Sequence, residues 1–243
     1  MFFGLRIRYL NVGDEYGVDW VPPECDVSIR PGWFWHENQQ PRSVQSLLDI
    51  YYTSSGRNCV LLLNAPPNRT GLLHETDVAV LKEFRVALDS IFSQNLAGHA
   101  HVTASSTRGK LTPFFQPSQI LSKNLDLYWA PVEGVTTGYL TLDLGSTLSF
   151  NVVKIQEAVH MGQRVRKYHI DVNEQGGTWK TVATGTTIGY KKLDRITKVQ
   201  SQFVRIVIDE ARAEPLIAAV GLYLDNVSNL GGNCNSNHTL CLM

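Results

Sequence analysis

Two kinds of hydrophobic pattern divide the chain. In the first part, apolar residues recur at helical spacing over Arg42–Thr53 and again over Thr76–Ser93, which predicts two amphipathic helices. Between them, Asn58–Leu63 is a nearly continuous apolar run, which predicts a strand buried on both faces and ended by the prolines of Asn64–Asn68. A further strand is expected over Cys25–Arg30. Strands that alternate with helices over short connections are typical of a parallel barrel.

The pattern changes near Gly98. Beyond this point, short strands separated by turn residues replace the helical period, which is typical of an antiparallel β-sandwich. The predicted strands are Leu140–Leu144, Phe150–Glu157, Arg166–Val172, Trp179–Thr184 and Phe203–Ile208. We therefore predict an α/β unit over 1–97, a sandwich over 98–225 and a flexible tail over 226–243. The boundary is expected at Leu96–Ala100.

The composition describes a folded protein without a charge preference. Hydrophobic residues make up 43% of the chain, charged residues 18%, and the formal net charge is zero. There is no electrostatic reason to expect nucleic acid or an anionic membrane as a partner. The longest apolar run is strand-sized, so no membrane span is predicted, and the first ten residues lack the pattern of a signal peptide.

Three sequons nevertheless point to the secretory route. Asn68-Arg-Thr, Asn226-Val-Ser and Asn237-His-Thr fit the acceptor pattern for N-glycosylation. Secretory features without a secretion signal lead us to expect that the N-terminus of a longer protein is missing.

The four cysteines allow at most two disulfides. Cys234 and Cys241 flank a short loop and can form a local bridge. Cys25 and Cys59 lie in segments that can be neighbours, but sequence alone does not determine the pairing. None of the four has the CxxC spacing of a zinc site, so neither a metal nor a cofactor is predicted.

The segment Trp20–His36 concentrates the candidate chemistry. It carries three tryptophans and two carboxylates, Glu24 and Asp26, together with Arg30 and His36. Tryptophan rings can cover the apolar C–H face of a sugar, and carboxylates bond its hydroxyls or move protons. The competing interpretation is a buried Pro/Trp-rich turn, which accounts for the tryptophans but not for the charged residues around them. The segment therefore predicts a sugar site.

Together with Asn58–Gly71, this segment resembles the α-L-fucosidases of glycoside hydrolase family 29, particularly their plant and bacterial branch. The second domain resembles a discoidin (coagulation factor 5/8 type C) module, which follows the barrel in the plant members. The motifs that carry this second resemblance are Ala104-Ser-Ser, Leu127-Tyr-Trp-Ala-Pro, Leu142-Asp-Leu-Gly, Gly162-Gln-Arg-Val, Trp179, Gly185-Thr-Thr-Ile-Gly-Tyr and Val204-Arg-Ile. The resemblance implies an α/β plus β fold: the C-terminal portion of a (β/α)8-type barrel followed by a galactose-binding-like sandwich. It also implies a fucosylated glycan as substrate.

The resemblance assigns the acid/base of a retaining glycosidase to Glu24. In such enzymes an aspartate nucleophile and a second carboxylic acid stand about 5–5.5 Å apart. Glu24 would have to stay protonated, which requires an apolar wall or a nearby negative charge. Trp20, Trp33 and Trp35 would supply the wall, and the nucleophile carboxylate would supply the charge. Of Trp33 and Trp35, one is expected near the methyl group of fucose and the other in the core.

The remaining polar residues of the segment have two interpretations each. Asp26 is the fallback for the acid/base, although a structural carboxylate bonded to Ser28 or to a backbone N–H is favoured. Arg30 is expected either to bond a sugar hydroxyl or to pair with Asp26, and His36 either to reach a hydroxyl or to be structural. An unrelated glycosidase that uses Glu24 with Asp26 as its acid pair has little support, because we expect the two side chains to face opposite sides.

The family's nucleophile motif, of the form Trp-x-Asp-Gly, does not occur before Trp20. A complete barrel takes about 250 residues, far more than precede the sandwich here. We therefore expect the C-terminal part of a fucosidase that is inactive alone. Its first part should be unstable or aggregation-prone, because Leu81, Phe84, Leu88 and the run Val60–Leu63 would lack partners.

A second hypothesis is a carbohydrate-binding or scaffolding module that acts through the sandwich. Tyr128, Trp129 and Arg164 are its candidate residues. The structural alternative places Trp129 and Trp179 in the core and pairs Arg164 with Glu157.

Overall fold

The first part of the chain alternates strands and helices. The structure, a computed structural model, describes residues 13–109, 112–174 and 177–228. The elements of this part are β1 (Glu24–Ser28), α1 (Val44–Thr53), β2 (Val60–Asn64) and α2 (Glu75–Phe92). In the described ranges, no helix is long and apolar enough to cross a membrane.

Both predicted helices are confirmed, and capping side chains explain where they begin. Ser43 precedes α1, and its Oγ accepts the N–H of Ser46 at 3.2 Å. His74 precedes α2, and its Nδ1 accepts the N–H of Thr76 at 3.3 Å. Acidic residues in the first turn of α2 favour the positive end of the helix dipole.

Strands β1 and β2 pair in parallel, with Glu24 opposite Val60 and Asp26 opposite Leu62. The alternate residues of the two strands, among them Leu61 and Leu63, pack against α1 and α2 in one hydrophobic cluster. The prediction of a strand buried on both faces is wrong, because Val60 is 58% and Leu62 49% exposed. The opposite face of this two-stranded sheet has no helix or sheet packed on it in the described part of the chain.

The second part forms the predicted antiparallel sandwich. Its strands are β3 (His101–Ala104), β4 (Gly138–Glu157), β5 (Val165–Asn173), β6 (Trp179–Gly185), β7 (Lys192–Ala211) and β8 (Ile217–Tyr223). Strand order is β3-β4-β7-β5-β6, and β8 pairs with β4. The five predicted strands all fall within these elements. β3, β8 and the first half of β7 are additional.

Strands β4 and β7 are 20 residues long and serve both layers of the sandwich. The first half of β4 pairs with β3, and the second half pairs with β8. A register shift separates the halves between Asp143 and Leu148, where Gly145 has a φ of +76°. Glycine and polar residues at this break give the pattern of a turn, and the pattern therefore predicts two strands where the structure has one.

The two parts of the chain share a hydrophobic cluster. Val152, Leu193 and Tyr223 of the sandwich pack with residues of both helices. Polar contacts join the same surfaces: the hydroxyl of Tyr52 donates to Asp225 at 2.8 Å, and Arg195 pairs with the carboxylate of Asp49 at 2.7 Å. The boundary at Leu96–Ala100 stays a prediction, and the core of the sandwich already includes Ala97.

Candidate active site at the carboxyl ends of β1 and β2

An open cavity of about 440 Å³ lies beyond the carboxyl ends of β1 and β2. Trp35, His36, Glu37, Asn38 and Arg69 line it. These residues come from the segments that directly follow the two strands. In parallel (β/α) folds, substrate sites lie at this end of the strands. Of the residues of the predicted site, Trp35 and His36 line this cavity, together with Arg69 from the second motif.

A buried ion pair holds the segment after β1 in place. Arg30 is 1% exposed, and its Nε donates to the Oδ2 of Asp77 at 2.9 Å. Its Nη1 donates to the carbonyl oxygens of His36, at 3.4 Å, and Gln39. The predicted pairing of Arg30 with Asp26 is wrong, because Arg30 pairs with Asp77. A bond from Arg30 to a sugar hydroxyl stays a prediction. Its role is to position the residues that line the cavity.

The side chain of Asn64, the last residue of β2, ties the two strand ends together. Its Nδ2 donates to the Oγ of Ser28 and to the carbonyl oxygen of Trp33, both at 3.0 Å. The hydroxyl of Ser28 in turn donates to the carbonyl of Gly32 at 2.8 Å. The predicted bond from Ser28 to Asp26 is therefore wrong, and Asp26 is exposed.

The two tryptophans after β1 differ in their surroundings. Trp35 is half-buried, its ring stacks on that of His74 with centroids 5.9 Å apart, and the guanidinium of Arg30 lies 5.8 Å from the ring centre. Its buried Nε1 has no acceptor among the described residues. Trp33 is 41% exposed. The expected division of labour between them stays a prediction, and the structure makes Trp33 the more accessible ring.

Glu24 lies at the other end of β1. A strand rises about 3.3 Å per residue, so Glu24 is roughly 13 Å along β1 from Ser28, the last residue of the strand. Its side chain is exposed. Trp33 and Trp35 lie beyond the carboxyl end, so the apolar wall expected from these two rings does not surround Glu24. The assignment of Glu24 as acid/base stays a prediction.

Glu24 and Asp26 are two residues apart on one strand, and both are exposed. Residues at this spacing share a face. The expectation that they face opposite sides is therefore wrong. It does not revive the acid-pair hypothesis, because Glu24 starts β1 at the end away from the cavity.

The structure pairs Cys25 with Cys59 in a disulfide between β1 and the start of β2. The sequence had left this pairing open. Asn68, whose sequon is next to the cavity, accepts the hydroxyl of Thr70 at 2.7 Å. Asn226 is exposed. Asn237, Cys234 and Cys241 lie outside the described residues.

Two of the candidate residues of the sandwich, Trp129 and Arg164, make their contacts inside the protein. Trp129 is fully buried, and its Nε1 donates to the carbonyl of Ser106 at 3.0 Å. The guanidinium of Arg164 pairs with Glu214 at 3.6 Å, while Glu157 accepts the backbone N–H of Arg164 at 2.8 Å. The predicted contact of Arg164 with Glu157 is thus made by the backbone N–H, and the guanidinium acts on that carboxyl only through its charge.

Trp179 does not lie in the core as expected. It is half-buried on the outer face of the sheet, where the guanidinium of Arg205 lies 3.8 Å from its ring centre. Tyr128 is half-buried too, and its ring contacts those of Phe115 and His160.

Five residues of the site were missed: Glu37, Asn38, Asn64, Arg69 and Asp77. The first two directly follow His36, so the candidate segment was ended two residues early. Asn64 and Arg69 lie in the second motif, Asn58–Gly71. The signal in the sequence is Asn64 itself, a polar residue at the end of an apolar strand, where barrel folds place their sites. No local pattern marks Asp77 as the partner of an arginine 47 positions away. Among the described residues, no group of His, Cys, Asp or Glu side chains could hold a metal ion.

Comparison with known proteins agrees with both domains. The F5/8 type C domain family matches residues 101–219. "Alpha-L-fucosidase 1" of Arabidopsis thaliana is 49% identical over 227 residues, which cover 93% of this chain and 45% of the relative. A GH29 fucosidase of Ruminococcus gnavus, solved with fucose, is 34% identical with a TM-score of 0.81, over 87% of this chain and 43% of that one.

The chain is similar to the C-terminal part of family 29 α-L-fucosidases. A structure from Bacteroides thetaiotaomicron agrees, with 35% identity and a TM-score of 0.83 over 89% of this chain and 48% of that one. The predicted fold class is confirmed: strand–helix units like those in the solved GH29 structures, followed by a discoidin-type sandwich. This chain spans about half the length of the fucosidases that it matches.

Proposed function

We propose that the protein to which this chain belongs is a retaining α-L-fucosidase that removes terminal α-L-fucose from glycans. The observation that carries the proposal is the likeness over both domains, at 49% identity to a plant α-L-fucosidase. The cavity supports it from the structure. It offers an aromatic ring on Trp35 and polar groups on His36, Asn38 and Arg69, which suit the apolar face and the hydroxyls of a sugar.

In this proposal, the chain binds and positions the sugar but does not contain the nucleophile. Retaining hydrolysis needs two carboxyl groups about 5–5.5 Å apart. Of the residues that line the cavity, Glu37 is the one with a carboxylate. The second carboxylate would come from the part of the fucosidase that this chain does not span.

The first test is turnover of 4-nitrophenyl α-L-fucoside. We expect no hydrolysis by the purified chain alone. Co-expression with the N-terminal part of the Arabidopsis relative should restore turnover, because that part supplies the remaining strands. Turnover by this chain alone would overturn the proposed division of the site.

The restored enzyme then allows a test of the acid/base. Glu24→Gln should lower kcat for a sugar leaving group by about 10²–10⁴-fold. An aryl leaving group, which needs little protonation, should be affected far less. Glu37→Gln is the matched comparison, since Glu37 lines the cavity at the opposite end of β1. If Glu37→Gln shows this leaving-group dependence and Glu24→Gln does not, the role belongs to Glu37.

We further propose that the protein is a secreted glycoprotein of the apoplast or cell wall that functions in carbohydrate metabolism. The disulfide Cys25–Cys59 supports an oxidising compartment. Asn226 is exposed and Asn68 lies on a surface turn, so both sequons can be reached. The test is the mass of the protein from its natural source before and after enzymatic removal of N-glycans. An unchanged mass would contradict the proposal.

A second candidate function is glycan binding by the sandwich. One observation favours it: Arg205 lies between the rings of Trp179, at 3.8 Å, and Tyr139, at 4.8 Å, on the outer face of the sheet. Such aromatic surfaces can stack on sugar rings. A binding module should keep its glycan affinity in Glu24→Gln, whereas Arg205→Ala should weaken it. Loss of affinity in Glu24→Gln alone would instead place binding in the barrel part.

A further inference from the structure

A second cavity, of about 570 Å³, lies at the junction between the α/β part and the sandwich. We call it the junction cavity. It shares no lining residue with the cavity beyond β1 and β2. It is lined by Glu15, Tyr16, Arg57, Lys167, Thr184, Gly185, Thr186, Lys192, Asp194 and Glu210.

Lys192, the first residue of β7, is the unusual member of this lining. The residue is only 6% exposed, yet its ammonium has no ion pair or hydrogen bond within the described residues. Burial and, to a smaller extent, the positive charge of Arg57 lower its pKa to about 8, although the carboxylate of Asp194 acts in the opposite direction. An ammonium that has lost most of its contact with water and has no paired anion is costly. An anion in the cavity would remove that cost.

Two of the three carboxylates in the lining form bonds or ion pairs with groups other than Lys192. Asp194 accepts the hydroxyl of Tyr168 at 2.5 Å and pairs with Arg57 at 3.5 Å. Glu210 pairs with Arg166, which is outside the lining, at 3.4 Å. Besides Lys192, the lining holds one more lysine, Lys167 on β5, and one more carboxylate, Glu15. Neither of these two side chains forms an ion pair in the described part of the chain. The charge left to attract a ligand is therefore positive.

The rest of the lining suits a sugar rather than a bare ion. Tyr16 is 71% exposed at the rim. The guanidinium of Arg166 lies 5.7 Å from its ring centre, and the opposite ring face is left for the C–H face of a pyranose. Thr184 and Thr186 add hydroxyl-bearing side chains to the lining. The floor is closely packed, because a Cβ on Gly185 would lie 2.4 Å from the ring of Tyr168.

We propose that the junction cavity binds an acidic sugar, with the carboxylate against the ammonium of Lys192 and the ring near Tyr16. The inference goes beyond fucoside hydrolysis, and it stands whether or not the chain takes part in that reaction. A uronic acid residue in a glycan has the required chemistry: one carboxylate, several hydroxyls and an apolar ring face.

The test uses the full chain and saturation-transfer NMR with three probes: methyl glucuronide, methyl glucoside and acetate. We expect methyl glucuronide to bind and the other two to bind at least about tenfold more weakly, because each lacks one half of the recognised chemistry. Glucuronide binding should weaken as pH rises through about 8, since Lys192 then loses its charge.

Lys192→Met keeps an unbranched side chain, one atom shorter, and removes the charge. It should lower glucuronide affinity about tenfold or more. Lys198→Met, exposed on the same strand and outside the cavity, is the matched control and should change nothing. The pH profile of the unmodified chain tests the same point if Lys192→Met fails to fold.

Three results would overturn the proposal. Glucuronide and glucoside could bind equally, which would remove the role of the carboxylate. Acetate could bind as well as glucuronide, which would leave a simple anion site. Glucuronide could fail to bind, or bind without sensitivity to Lys192→Met and pH.

Discussion

At the residue scale, the cavity beyond β1 and β2 depends on one buried ion pair. Arg30 and Asp77 are 1% and 0% exposed, so removal of either partner leaves a charge without compensation inside the protein. We expect Arg30→Met to lower the free energy of unfolding by about 3–5 kcal/mol, measured by urea denaturation. The double variant Arg30→Met, Asp77→Leu should recover part of that loss.

The surface pair Arg85–Asp89 is the matched control. Its side chains are 76% and 56% exposed, and they stand four residues apart on α2. Arg85→Met should cost no more than about 0.5 kcal/mol. Equal losses of unfolding free energy at the two pairs would mean that burial does not determine how much the Arg30–Asp77 pair stabilises the protein.

The buried carboxyl group of Glu157 should make the free energy of unfolding depend on pH. Burial raises its pKa to about 7, although the N–H groups of Gly189, Val165 and Arg164 favour the charged form. In the unfolded state this carboxyl group has an ordinary pKa near 4.5. Between about pH 4.5 and 7 the group is therefore protonated in the folded state and ionised in the unfolded state. The resulting stabilisation is fully present below about pH 4.5, and it is lost as pH rises to about 7. We expect a loss of about 2 kcal/mol between about pH 5 and 7.

Glu157→Gln cannot ionise, so its unfolding free energy should vary less over this pH range than that of the unmodified chain. The variant should also be less stable at low pH, because its amide cannot accept the N–H of Gly189 that Oε2 accepts at 2.7 Å. Glu133→Gln, at an exposed position, is the control. An unchanged pH profile in Glu157→Gln would show that another group titrates.

At the element scale, a disulfide reinforces the pairing of β1 with β2. Cys25 and Cys59 are 34 positions apart, and both are buried. A cross-link over such a loop stabilises by about 4 kcal/mol in the chain-entropy account. We expect the double variant Cys25→Ala, Cys59→Ala to lose about that much, measured by urea denaturation under non-reducing conditions. The unmodified chain in reductant should behave alike, and stability indifferent to both changes would contradict the prediction.

The elements themselves were largely predictable, because each helix or strand records its buried face in its own periodicity. The apolar stripes of α1 and α2 and the strands of the sandwich needed no knowledge of their partners. The short β3 was missed because four residues of mixed character carry too little pattern. The continuity of β4 through Gly145 was missed because a glycine at a bend has the same sequence signature as a glycine at a turn.

At the scale of the whole molecule, one face of the β1–β2 sheet has no helix or sheet packed on it among the described residues. Leu62 is 49% exposed on it, while its neighbour Leu61 packs under the helices. Exposed apolar strands associate with other chains. We expect Leu62→Lys to reduce self-association of the purified chain, measured by light scattering, with little change in Tm. Leu61→Lys should lower Tm markedly, and scattering that Leu62→Lys leaves unchanged would place the association elsewhere.

By itself, the sequence determined the order of elements, the two-part architecture, the family resemblance and the segment Trp20–His36 as the start of a site. These features are local, or they recur as motifs in relatives. Only the tertiary structure decided that Arg30 pairs with Asp77, that Cys25 bonds Cys59, and that Glu24 stands at the far end of β1 from the cavity. The physical reason is that a side chain's partner and its depth along a strand depend on how distant segments pack, and periodicity carries no record of that packing.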